Sequence, residues 1–149
     1  MIQMDGSHRP ITVEEINEFQ QRLNLSFSEQ YINFLLESNG GDPSPSMFKI
    51  SDEQGEGVLN IFYGIGDMYS NLEDYMDIYE GRLPSGFIPI GNDPSGNLFC
   101  LGLNEKYCNN IYFWNHEQES DNPDDMSNMF FLAGDLNEFL NSLYDEKEE

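Results

Sequence analysis

Residues 87–114 read FIPIGNDPSGNLFCLGLNEKYCNNIYFW. Three apolar runs in it, Phe87–Gly91, Leu98–Leu103 and Ile111–Asn115, carry the β-branched and aromatic residues of strands. Asn92-Asp93-Pro94-Ser95-Gly96-Asn97 is dense turn chemistry. Asn104–Asn110 is short enough to close a hairpin. Strands that follow one another through turns pair antiparallel, so this stretch predicts a mostly antiparallel sheet. Pro89 has no N–H for a ladder, which sets its strand at an edge or in an irregular section.

Helical patterns lie on both sides. Thr12 with Glu15 is a capping-box pair, and Ile16, Phe19 and Leu23 recur at helical spacing, predicting a helix over Val13–Leu23. Ser28 caps a second helix carrying Tyr31, Phe34 and Leu35, stopped by Asn39-Gly40-Gly41. Asp42-Pro43-Ser44-Pro45 leads the chain away. Met47–Ile50 and Val58–Phe62 read as strands around a loop, Ser51–Gly57. Asn71–Glu80 reads as a short helix with the apolar stripe Leu72, Tyr75, Met76 and Tyr79, stopped by Gly81. After the central strands come a polar, acidic loop, Gln118–Asn128, and a short strand at Phe130–Ala133. Asp135 and Glu138 then cap a last helix bearing Leu136, Phe139, Leu140 and Leu143. The fold class is therefore α+β: one mostly antiparallel sheet flanked by helices. Residues 1–11 are expected to form a flexible arm, 12–144 the domain, and 145–149 an acidic tail.

The chain has 149 residues, enough for one core without a metal or disulfide. Its two cysteines, Cys100 and Cys108, do not oppose each other on the predicted hairpin, where Cys100 faces a residue near Ile111. Reduced thiols, with neither a signal peptide nor a membrane-spanning apolar run, imply the cytoplasm. Against 28 Asp and Glu stand only 6 Lys and Arg, a formal net charge of -22. An aromatic content of 13% excludes a disordered acidic tail, so a folded domain carries this self-repulsion. Nucleic acid and anionic membranes are repelled, which leaves a cationic protein, or solubility alone, as the reason for the charge.

Four motifs in order resemble those of the SUKH superfamily, bacterial immunity proteins related to the fungal Smi/Knr cell-wall regulators. They are Tyr31-Ile32-Asn33-Phe34-Leu35 running into Asn39-Gly40-Gly41, Phe87–Asp93 with Gly96-Asn97 and the strand Leu98–Leu101, Ile111–Glu117, and Phe130–Leu143. Ser28 stands where many members have proline, and Gly102 where many have aspartate. The resemblance implies an α+β Smi/Knr-like fold, no catalysis and no cofactor. It also implies a partner: a cognate polymorphic toxin, often a nuclease, neutralised by direct binding. The alternative it implies is a regulatory protein–protein interaction module.

The residues offer little for an enzyme. His8 lies in the expected arm, and His116 reads as the residue that ends a strand and caps a loop, since Glu117 points to the opposite face. Two Cys and two His at irregular spacing make no zinc site. Trp114 reads as core. The acids are the informative constellation. No base occurs between Lys49 and Arg82, a stretch holding Asp52, Glu53, Glu56, Asp67, Glu73, Asp74, Asp77 and Glu80. None occurs between Lys106 and Lys147, where Asp121, Asp124 and Asp125 lie, as either a solvated loop or a weak cation site. Glu73, Asp77 and Glu80 form a like-charged helical stripe, each pair costing about 0.2–0.5 kcal/mol. Read as a wet face, the stripe means nothing; read as a partner face, it imitates a phosphate backbone for a basic toxin, with Tyr63, Tyr69 or Tyr79 as aromatic anchors.

Overall fold

The computed structural model describes residues 3–145, and it begins with a strand where a loose arm is expected. β1 (Gln3–Asp5) pairs antiparallel with β2 (Asp42–Ser44). Ser7 Oγ donates to the Gly40 carbonyl at 3.0 Å, His8 N to the Asn39 carbonyl at 3.1 Å, and Ile11 is buried. Residues 3–11 are thus docked where a flexible arm is expected, because residues 3–8 find hydrogen-bond partners far along the chain. The acidic tail falls outside the described residues from 146 onward.

α1 (Val13–Leu23) starts at a complete capping box: Glu15 N donates to Thr12 Oγ1 at 3.1 Å, and Thr12 N to Glu15 Oε1 at 3.2 Å. It buries Ile16 and Phe19. In α2 (Glu29–Glu37), Ser28 Oγ accepts from Tyr31 N, and Tyr31, Phe34 and Leu35 are buried. Gly40 and Gly41 do have positive φ, at 79° and 123°, but they stand beyond the helix end instead of capping it. Their role is close approach: a Cβ on Gly40 would lie 2.8 Å from the Phe62 carbonyl oxygen.

β3 (Met47–Ser51) and β4 (Gly55–Val58) form a hairpin, so half of the expected Ser51–Gly57 loop is strand. Gly57 has no Cβ, and the Phe48 ring occupies the space one would need. β5 (Ile61–Phe62) follows as a separate strand. α3 (Leu72–Ile78) is capped by Asn71, whose Oδ1 accepts from Asp74 N at 2.8 Å.

β6 (Phe87–Asn92), β7 (Leu98–Gly102), β8 (Ile111–Trp114) and β9 (Met129–Ala133) complete a five-stranded antiparallel sheet in the order β5-β6-β7-β8-β9. The register shifts between Pro89 and Gly91, and β5 reaches only Gly91 and Asn92, so Pro89 sits in the irregular section predicted for it. Cys100 opposes Tyr112, as the hairpin reading requires, and both cysteines are free. α4 (Leu136–Ser142) is capped by Asp135, whose Oδ1 accepts from Glu138 N.

The sheet has two unlike faces. Ile88, Ile90, Phe99, Leu101, Ile111 and Phe113 join the main core with α1, α2 and α4. Phe87, Leu98, Cys100, Trp114 and Met129 form a second, smaller core covered by Tyr79, Leu83 and Met126. Trp114, 1% exposed, is core as predicted. No helix among the described residues is long and apolar enough to cross a membrane.

Candidate partner-binding surface

The entrance to α3 is set by Asn39, which is 3% exposed. Its Nδ2 donates to the carbonyls of Arg9 and Ile65 at 2.9 and 2.8 Å, and its Oδ1 accepts from Ile65 N at 2.8 Å. Gly64 packs directly against this amide: a Cβ there would lie 2.8 Å from Asn39 Oδ1. Gly64 also accepts from Leu72 N and donates to Ser70 O, so the loop 65–70 leaves and returns at one point. Tyr69 projects from it, 99% exposed. Asp67, Met68, Tyr69 and Asp74 surround an open concavity of about 320 Å³.

The four acids of residues 73–80 have different fates. Arg22 of α1 makes two 2.8 Å bonds to the Glu73 carboxylate, which this hydrogen-bonded cation holds below its ordinary range. Asp74 accepts from Asn71 Nδ2 at 2.8 Å. Asp77 and Glu80 are exposed and form no ion pair among the described residues. Glu80 lies past the helix end at Ile78. The predicted stripe of three like charges is therefore not a stripe: one member is neutralised from another helix and one is off the helix. Ile78, which the sequence reading passed over, is 56% exposed beside Asp77.

The second acidic block is fastened to the segment that follows α3. Arg82 holds Glu119 at 2.8 and 3.1 Å, and its guanidinium lies 4.7 Å from the Tyr79 ring centroid and 5.5 Å from that of Trp114. The Arg82 bond lowers the Glu119 pKa. Asp124 accepts from Ser85 N and Asp125 from Ser127 N, both at 2.8 Å, and these backbone bonds lower both pKa values. Asp121 is exposed. The three aspartates do not converge, and no cluster of three potential metal ligands occurs among the described residues.

The β3–β4 hairpin is a separate acidic region. Lys49 pairs with Asp52, while Glu53 and Glu56 are exposed. Glu56 shares a cleft of about 350 Å³ with Asp93 and Glu117, from the β6–β7 turn and the end of β8. The sequence did not show this meeting, because its members come from three distant segments.

Of the proposed aromatic anchors, Tyr63 is corrected. It is fully buried, stacks on Tyr75 at 4.0 Å and accepts from Asn92 Nδ2 at 3.0 Å; a ring with its hydroxyl satisfied belongs to the core. Tyr79 is half-buried, edge-on to Trp114. Tyr69 is free. The loop cap at the end of β8 is Asn115, which accepts from Glu117 N, rather than His116.

With this geometry in view, the comparisons with known proteins agree. Residues 10–142 match the SMI1 / KNR4 family (SUKH-1), and the chain belongs to that family. It is also similar to the SPbeta prophage-derived uncharacterized protein YokK of Bacillus subtilis (strain 168), at 32% identity over 108 residues. That match covers 72% of this chain and 51% of the relative, so the chain spans about half the length of the curated protein it matches.

Proposed function

We propose that the protein is a non-catalytic immunity protein of the cytoplasm, which binds and neutralises a cognate toxin domain with a basic, nuclease-like surface. One observation carries the reading. Around α3, carboxylates without ion-pair partners among the described residues (Asp67, Asp77, Glu80) stand beside strongly exposed apolar and aromatic side chains, Tyr69 and Ile78. Solubility asks for the acids but not for the exposed apolar groups. A protein interface asks for both, with aromatic anchors inside a polar rim. Family membership supports the same reading. A net charge of -22 adds long-range attraction to a cationic partner and accelerates capture.

The test is co-expression with the C-terminal domain encoded by the neighbouring open reading frame. That domain should kill cells alone and spare them when this protein is present. A combined Asp67→Lys, Tyr69→Ala and Asp77→Lys variant should fold normally by circular dichroism and protect less. A neighbour whose toxicity co-expression leaves unrelieved, or that is not toxic, refutes the immunity reading.

A further inference from the structure

The groove between the end of α3 and the start of β6 brings apolar side chains and carboxylates together in one concavity. It is a concavity of about 380 Å³ whose lining is mixed, with Leu23 of α1, Met76 of α3 and Leu83 of the connection as its accessible apolar side chains. Asp77 and Glu80 line the same groove. Neither has a cation within ion-pair distance among the described residues. The two arginines of this region are committed elsewhere, Arg22 to Glu73 and Arg82 to Glu119. Arg22 feels Asp77 only as a longer-range charge. Pro123 also lines the groove, next to Asp124, which accepts from Ser85 N.

Apolar side chains in a groove gain from losing their water, and a carboxylate at its edge gains from a counter-ion. A long basic side chain meets both needs, with a methylene stem for the wall and a charged head for the rim. Arginine fits two neighbouring carboxylates better than lysine, because its planar guanidinium presents several donors at fixed angles. A second copy of this chain is a poor occupant, since two bodies at -22 repel each other.

We infer that this groove is the docking site for an arginine-bearing segment of a basic partner protein, with the side-chain stem against the half-buried Met76 and Leu83 and the guanidinium shared by Asp77 and Glu80. The inference rests on the proposed function for the sign of the partner's charge. Its test uses no toxin, so the two fail separately: co-expression reads immunity, and peptide binding reads the groove.

The intact ¹⁵N-labelled protein is titrated with acetyl-Arg-Leu-Arg-amide and with the citrulline counterpart, which keeps the shape and removes the charge. The arginine peptide should give saturable amide shifts concentrated in residues 76–89. The citrulline peptide should bind about three- to ten-fold more weakly, and the Asp77→Asn, Glu80→Gln double variant should lose a similar factor for the arginine peptide. An Asp52→Asn, Glu53→Gln variant should bind like the wild type. Equal binding of the two peptides, shifts spread evenly onto the β3–β4 hairpin, or no saturation by about 10 mM overturns the inference.

Discussion

Replacing Asn39 should unfasten the support beneath the α3 surface, and the cost can be worked from its bonds. The side chain makes three hydrogen bonds of 2.8–2.9 Å, two to Ile65 and one to Arg9. Each contributes about 1 kcal/mol net, and Asn39→Ala also leaves the buried Ile65 N–H and carbonyl without partners. The expected loss is about 3–5 kcal/mol, or a Tm lower by about 10 °C. Asn39→Asp is the sharper probe, because it keeps the size and the acceptor for Ile65 N. It turns two donated bonds into contacts between a carboxylate oxygen and two carbonyl oxygens. Desolvation and those carbonyls raise the folded-state pKa of the new acid above its ordinary value near 4. Its protonated form is therefore favoured by folding. The variant should approach the wild type below about pH 4 and lose stability relative to it as pH rises toward that folded-state pKa. Urea melts of the wild type and both variants at pH 4 and pH 7 measure this. The wild type at each pH removes the change in overall charge. An Asn39→Ala cost below about 1 kcal/mol, or an Asn39→Asp gap that does not widen from pH 4 to 7, would refute the reasoning. Amide exchange at residues 64–70 should also quicken in Asn39→Ala, since this side chain ties the Tyr69 loop to α2.

Gly102→Asp should disrupt the β7–β8 turn, because a Cβ at Gly102 would run into the Tyr107 carbonyl oxygen. A circular-dichroism melt unchanged from wild type would contradict that. Ellman's reagent should label one thiol of the native protein, the exposed Cys108, and reach Cys100 only after unfolding, since burial in the second core excludes the reagent and pushes the Cys100 pKa up; two fast thiols would contradict the burial. Raising NaCl from about 0.01 to 0.3 M should raise the Tm, because screening relieves the repulsion of a -22 chain more than it weakens the surface ion pairs of the described residues. A falling Tm would mean that those pairs dominate.

The parts of the fold legible in the sequence are those whose causes are local. Thr12 and Ser28 act on N–H groups three residues ahead, so both helix starts were visible in a short window. The β6–β7 turn was visible because Asp93 closes it on itself, accepting from Ser95 N and Asn97 N. What escaped had distant causes. β1 is a strand only because β2 offers it a ladder, and β4 starts as early as Gly55 only because β3 and its Phe48 fold over Gly55-Glu56-Gly57, which has little strand propensity of its own. The exposed state of Tyr69 and the buried state of Tyr63 are not distinguished by residue type at all.

The same distinction decides how the acidic surface should be understood. A block without bases in the sequence is not a surface without bases in space: Arg22 crosses 51 positions to reach Glu73, and Arg82 crosses 37 to reach Glu119. These pairs join elements of the fold, so reversing Glu73 or Glu119 would disturb the domain together with any partner. Asp77 and Glu80 form no ion pair among the described residues, and they share a groove with apolar side chains. Substituting them therefore separates recognition from stability. If protection against a toxin is lost in Asp77→Asn, Glu80→Gln while the urea midpoint stays at its wild-type value, the charge is used for a partner. If midpoint and protection both stay unchanged, these two acids serve solubility and the partner face lies elsewhere.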